Sequence, residues 1–342
     1  MFLETTWFVI WGILWAVYFV LDGFDLGLGT IMPFLAEGEQ EKRTIYNSAA
    51  PFWDGNEVWL ITAGGVTFAA FPKAYAVMFS ALYAPLFLLL FGLIFRAASF
   101  EFRNKIDSDA WRKVWDTFLF LGSFLPALLL GVAFANLFQG IPVDGDGVYH
   151  GSLIKLLNPY GLLGGVLFVL MFSLHGALWL GVKSTGRIHE KAMRAASGIW
   201  PYFLAATLAF LAATAVYTNL YANYLAIPPL LIILLLAVVG LFTTRMFIGC
   251  DSAPMAWACS AVTIFSCTLF GVVGMYPALL PSSIDSIYSV TIYNAASSTL
   301  TLKIMLGVAL TFVPVVIGYQ AWVYRVFSFK ITDKDLASDE AY

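Results

Sequence analysis

The stretch PFWDGNEVWLITAGG, residues 51–65, sets Asp54, Asn56 and Glu57 within one helical turn of each other, between Trp53 and Trp59. A second stretch, LDGFDLGLG at 21–29, holds Asp22 and Asp25. Both pairs of acids stand at i, i+3, the spacing that puts two side chains on one helix face. Both lie in apolar surroundings, where a charged residue costs about 2.5–3.5 kcal/mol on insertion scales. Carboxyl groups facing the interior of a membrane bundle are by default proton-relay or ion-site candidates, because desolvation favours their neutral form. Asn56, Ser48 and Thr62 are the neighbouring groups that would hold water for such a relay. A structural reading stands beside this one. Asn47 and Ser48 before Pro51 look like a helix start, and Asp54 in the opening turn complements the helix dipole. Asp25 would then cap, or pair with an inner-end arginine such as Arg96 or Arg245.

The elements that position these acids follow from composition. The chain has 342 residues, 61% hydrophobic and 11% charged, with a mean hydropathy of +0.84. Soluble domains carry roughly 25% charge, so this is an all-α integral membrane protein whose apolar runs have helix length. The sequence predicts nine spans, at about 7–30, 51–71, 74–96, 115–138, 160–182, 199–220, 227–248, 256–276 and 302–326. The second is the weakest by hydropathy, and charge tests whether it crosses. With all nine crossing, one side receives Lys42, Arg43, Arg96, Arg103, Lys105, Arg112, Lys113, Lys183, Arg187, Lys191, Arg194, Arg245, Arg325, Lys330 and Lys334. The other side keeps only Lys73, Lys155 and Lys303 of the 18 basic residues. Such asymmetry marks the cytoplasmic side, so the N-terminus is expected outside and the C-terminus inside. Asp22 then lies fifteen residues past Trp7, about 22 Å along the first span, and all four acids fall in one slab near the inner side. Gly23, Gly27 and Gly29 let another backbone approach that slab.

The chain reads as a single membrane domain over 1–342, with no internal sequence repeat. Two four-helix groups plus one additional helix are compatible with the connections. The longest outer connections are 139–159, with DGDG at 144–147, and 277–301. The tail DKDLASDEAY is expected to be solvated and frayed. The first apolar run lacks a basic leader, so no cleavable signal is expected. A net charge of −3 speaks against a nucleic-acid partner. Cys250, Cys259 and Cys267 have no metal or CxxC spacing and read as structural thiols.

Redox chemistry in a membrane needs ligands inside the helices. Of three histidines, His150 and His189 are placed in an outer and an inner loop, and only His175 lies at membrane depth. One buried imidazole does not supply the ligands of several haems. No metal-binding, nucleotide-binding or nucleophile motif occurs, so no catalytic or metal-ligating residue is assigned. The aromatic stripes read as packing.

Several long motifs resemble subunit II of the cytochrome bd quinol oxidases: VLDGFDLGLG (20–29), NSAAPFWDGNEVWLITAGG (47–65), AAFPKAY (69–75), GSFLPALLLGVAFANLFQGIP (122–142), LLNPYGLLGGV (156–166) and MYPALLPSS (275–283). The resemblance implies a bacterial inner-membrane terminal oxidase that reduces dioxygen to water with quinol electrons. It implies a heterodimer whose subunit I carries haem b558, haem b595 and haem d. It implies a haem-free subunit II that stabilises subunit I and contributes a cytoplasmic proton path, at Asp22 and Asp54, with Asp25 more structural. Glu57 departs from the pattern, since some members carry Gln there. Some members hold a structural quinone or a small accessory subunit, and neither can be placed from these residues. Beyond those, the expected contacts are quinol and dioxygen at the level of the complex, and membrane lipid. Two other readings stay open: a secondary transporter, disfavoured because the later helices lack a matching acidic pair, and a pure scaffold.

Overall fold

The computed structural model describes residues 2–336. The last six residues of the expected frayed tail, and the side chain of Lys334 counted above, lie outside the described residues. In chain order the helices are α1 (Phe2–Leu35), α2 (Glu39–Ala49), α3 (Trp53–Ala70), α4 (Pro72–Ala81), α5 (Tyr83–Phe102), α6 (Asp109–Gln139), α7 (Leu153–Leu156) and α8 (Pro159–Lys183). They continue with α9 (Gly186–Tyr217), α10 (Tyr221–Ala226), α11 (Leu231–Gly249), α12 (Ala253–Met275), α13 (Ile292–Ala295), α14 (Thr299–Val326) and α15 (Asp333–Leu336). Strands β1 (Ala278–Leu280) and β2 (Val290–Thr291) form one short antiparallel pair. The protein is an all-α membrane protein. Among the described residues eight helices are long and apolar enough to cross a bilayer: α1, α5, α6, α8, α9, Pro228–Gly249, α12 and α14. The expected second span is present as α3, but with Asp54, Asn56 and Glu57 in its first turns it is not among the eight.

The third expected span, 74–96, is corrected. It is two helices, α4 and α5, divided at Leu82. Pro85 explains the break, since proline has no N–H to give and its ring clashes with the carbonyl four residues back, at Ala81, where α4 ends. The second half then runs on to Phe102. Arg96, at the inner end of the expected third span, is therefore inside α5 and buried. His189 is on α9 rather than in a loop, with its Nδ1 2.8 Å from the Gly181 carbonyl and Nε2 3.3 Å from Asp251.

Helix ends follow local chemistry. Asn158 caps α8 by accepting from Gly161 N–H at 2.8 Å, with Pro159 at the first helical position. Thr291 and Asn294 form a reciprocal capping box on α13. The two long connections meet: Ile141 N–H donates to the Pro281 carbonyl at 3.1 Å, and Ser283 N–H to the Ile141 carbonyl at 3.0 Å.

Helix α1 is the hub, packed on α3, α6, α8 and α12. Its contact with α8 is backbone on backbone. A Cβ on Gly27 would stand 1.8 Å from the Phe172 carbonyl oxygen, and one on Gly176 2.5 Å from the Leu28 nitrogen. Only glycine at both places permits this crossing. Helix α5 lies on α6, α9 and α11 pack on α8 and α12, and α14 rests lightly on α1 and α3.

Candidate functional site

The buried polar cluster is built where α1, α3, α5 and α14 come together. Asp22 is fully buried on α1, and its Oδ1 accepts from Arg96 Nη2 at 2.7 Å. The same Nη2 donates to Glu57 Oε1 on α3. Arg96 is fully buried, and α6 holds its backbone in place: a Cβ on Gly122 would lie 2.7 Å from the Arg96 nitrogen. The tight α5–α6 crossing therefore fixes where the guanidinium enters the bundle.

One turn further along α1, buried Asp25 accepts from Asn56 Nδ2 at 2.7 Å through Oδ2. Asn56, also fully buried, is the junction of the site. Its Nδ2 reaches the Leu21 carbonyl at 3.2 Å. Its Oδ1 accepts from Gln320 Nε2 at 3.2 Å and from the Tyr324 hydroxyl at 3.0 Å, both on α14. Gln320 Oε1 in turn accepts from Trp59 Nε1 at 2.9 Å. A continuous hydrogen-bonded line thus runs from Asp25 through Asn56 to the exposed helix α14. Asp25 Oδ1 and Arg96 Nε and Nη1 are buried without a hydrogen-bond partner among the described residues. Buried polar atoms normally find partners, so this is a polar interior with bonding capacity to spare.

Of the residues singled out from the sequence, the structure brings together Asp22, Asp25, Glu57 and Asn56. Asp54 is not among them. It is exposed, and its Oδ1 accepts from the N–H of Gly55 at 2.7 Å. Standing one residue into α3, it curls onto its own turn. Ser48 is buried but donates to the Ile45 carbonyl at 2.7 Å, and Thr62 donates to the Val58 carbonyl at 2.8 Å. Both hydroxyls serve their own helices. Arg96 pairs with Asp22 and Glu57 rather than with Asp25, and Arg245 is exposed on α11. Gln320 and Tyr324 were not singled out; a glutamine and a tyrosine one turn apart in an apolar helix were the available signal.

A second polar cluster, unforeseen, lies beside α2. Arg103 forks onto Glu39 at 2.7 and 2.8 Å and reaches Asp116 at 2.7 Å. Lys42 meets Asp116 at 2.8 Å. These pairs dock α2 against α5 and α6.

His175 tests whether this chain fits a haem. Its Nδ1 lies 2.6 Å from Ser260 Oγ and its Nε2 3.1 Å from the Val20 carbonyl. Trp257 stacks on the ring at 5.3 Å. With both nitrogens engaged and a face covered, the residues around His175 do not fit an axial ligand.

Residues 3–327 match a family described as cytochrome bd terminal oxidase subunit II. The chain is 37% identical over 336 residues to the cytochrome bd ubiquinol oxidase subunit 2 of Bacillus subtilis, covering 97% of this chain and 98% of that protein. It is also 37% identical over 371 residues to the cytochrome bd-I ubiquinol oxidase subunit 2 of Escherichia coli K12, covering 98% and 96%. Its fold is similar to a chain in the structure of bd oxidase from Geobacillus thermodenitrificans. The TM-score there is 0.75 at 18% identity, over 96% of this chain and 99% of that one.

Proposed function

We propose, from the premise that this chain belongs to the cytochrome bd terminal oxidase subunit II family, that it works as a haem-free subunit conducting protons from the cytoplasm. It is a multi-pass protein of the bacterial inner membrane and part of an oxidoreductase complex. In our reading it forms a heterodimer with subunit I, which it stabilises and which holds the haems and oxidises quinol. It crosses the membrane nine times, with α3 as the ninth crossing and the N-terminus outside. Its helices form two four-helix bundles, α1–α3–α5–α6 and α8–α9–α11–α12, with α14 additional. A structural quinone and an accessory subunit are compatible with this reading, though no residue is assigned to either.

The observation that carries it is the charge balance of the buried cluster. Asp22 and Glu57 share the Arg96 guanidinium, while buried Asp25, one turn along α1, is held by Asn56 and forms no ion pair among the described residues. Uncompensated buried charge is strongly unfavourable, and the cluster sets three acids against one cation. The cluster is thus a proton store. Asn56 joins it to Gln320 and Tyr324 on α14. Asp54, exposed beside it on α3, is placed to exchange protons with whatever borders that helix. Reduction of dioxygen to water consumes protons, so a dedicated conduit has a chemical use.

The test measures quinol-driven oxygen uptake by the purified complex, with the haem spectrum as the assembly readout. Asp22→Asn, Asp25→Asn and Asp54→Asn should slow uptake by roughly tenfold or more while haem content stays. Arg96 keeps Glu57 when Asp22 is neutral, so Asp22→Asn should assemble. Wild-type turnover in all three would leave a scaffold only.

A further inference from the structure

Away from the acidic cluster, the C-terminal end of α1, the middle of α8 and the N-terminal halves of α6 and α9 enclose a groove of about 680 Å³, within the roughly 300–1,000 Å³ span of ligand clefts. Its walls include Ile31, Phe34, Phe124, Leu170 and Ile199. Phe34 is 82% exposed at the rim, with its ring 6.0 Å from that of Phe120. Thr30 lines the groove but spends its hydroxyl on the Leu26 carbonyl at 2.7 Å. No wall residue comes from α3, α4, α5 or α14, so the groove opens away from the helices that hold the acidic cluster.

The mouth is charged. Glu37, Lys191 and Arg194 stand there. Lys191 is committed, at 2.7 Å from Glu41 and 3.2 Å from Glu37, and Glu37 also pairs with Arg187. Arg194 differs. Its Nε donates to the Glu190 backbone carbonyl at 3.3 Å, and it forms no ion pair among the described residues. Lys191 and Arg187 are thus matched by Glu37 and Glu41, and Arg194 is the guanidinium left without an ion pair among the described residues.

An apolar trough between membrane helices, closed at its polar end by an unpaired arginine, has the chemistry of a phospholipid site. Basic pockets between helices on the cytoplasmic side attract anionic head groups, and the guanidinium fork matches phosphate oxygens bidentately. We infer that this groove holds one anionic glycerophospholipid of the inner leaflet, an acyl chain along the aromatic wall and the phosphate on Arg194. The inference takes only the choice of leaflet from the orientation proposed above.

The test uses the whole purified oxidase, delipidated in detergent and titrated with phosphatidylglycerol or phosphatidylcholine, with bound lipid counted by native mass spectrometry. Wild type should take up one phosphatidylglycerol ahead of the rest. Arg194→Gln should weaken that uptake about fivefold, and Ala195→Trp, which fills the groove, should abolish it. Phosphatidylcholine should bind both Arg194 forms alike. Unchanged phosphatidylglycerol binding in Arg194→Gln overturns the inference, as does a polypeptide seated in the groove or displacement by inorganic phosphate alone. Oxygen uptake by Arg194→Gln should equal that of wild type. A failed lipid site and a failed proton route, read from the Asp22→Asn rate, are therefore told apart.

Discussion

Arg96 is the residue on which the buried acids depend, because one guanidinium nitrogen serves carboxylates from two helices. Replacing it with glutamine leaves buried Asp22 and half-buried Glu57 without a cation. Breaking a buried pair in this way costs about 3–5 kcal/mol, so Arg96→Gln should lower the yield of haem-containing complex. Pairing it with Asp22→Asn removes the stranded charge and should restore assembly, since neutral replacement of both partners is tolerated. Oxygen uptake should remain low in the double variant if the cluster conducts protons. Absorbance per purified complex and oxygen uptake, read together, separate the two roles, and recovery of both would leave a structural role alone. The acids themselves were legible in the sequence, because carboxylates at i, i+3 in an apolar run are conspicuous. Their pairing was not. Arg96 is 74 positions from Asp22, and its depth depends on where the third span breaks. That Asp54 stands outside the buried cluster was hidden for a related reason. Spacing gives the helix face, but not whether a first-turn side chain folds back onto its own backbone.

The least legible element was α2. Its charged start, EQEKR, carries no apolar signal, yet Thr44, Ile45, Ser48 and Ala49 fall on one buried side. It is too short to stand alone and is held by ion pairs: Arg103 and Lys42 on one flank, Lys191 on Glu41 on the other. Pro85, which divides α4 from α5, was visible, but an apolar run hides a break that hydropathy averages over. The Glu41 tie has a pH signature. Burial works to raise the Glu41 pKa, but the hydrogen bond from Lys191, the backbone bond from Glu37 and the charges of Lys191 and Arg187 outweigh it and hold the group below its ordinary value. A carboxyl with a lowered folded-state pKa contributes stability above its unfolded pKa and loses it as pH falls through the folded value. The apparent unfolding temperature of the complex should therefore drop from neutral pH towards pH values below the ordinary glutamate value of 4.5. Glu41→Gln should begin lower at neutral pH and fall less. Parallel curves for the two proteins would remove Glu41 from the account.

Across the whole molecule, burial and apolarity are arranged for two different surroundings. The most apolar windows of α1 and α8 are 61% and 67% buried, against 6% for α14. An 18-residue window with so little cover needs lipid or another membrane subunit beside it. Helix α3 is the harder case, because hydropathy alone omits it while the basic-residue asymmetry requires it. The two criteria differ because hydropathy charges the helix for Asp54, Asn56 and Glu57 as though each faced lipid. In the fold Asn56 is fully buried among α1 and α14, and Glu57 meets Arg96. Internal partners make a polar helix tolerable within the bilayer, so the topology should follow the charges. Single cysteines decide this in intact cells with a membrane-impermeant maleimide, counted against the parent carrying Cys250, Cys259 and Cys267. Lys73→Cys and Asp146→Cys should label from outside. Gln40→Cys and Lys105→Cys should label only once the membrane is opened. Were α3 to lie on the surface, positions 40 and 73 would share a side, so matched labelling of that pair would remove the ninth crossing and place the acidic cluster at the water interface.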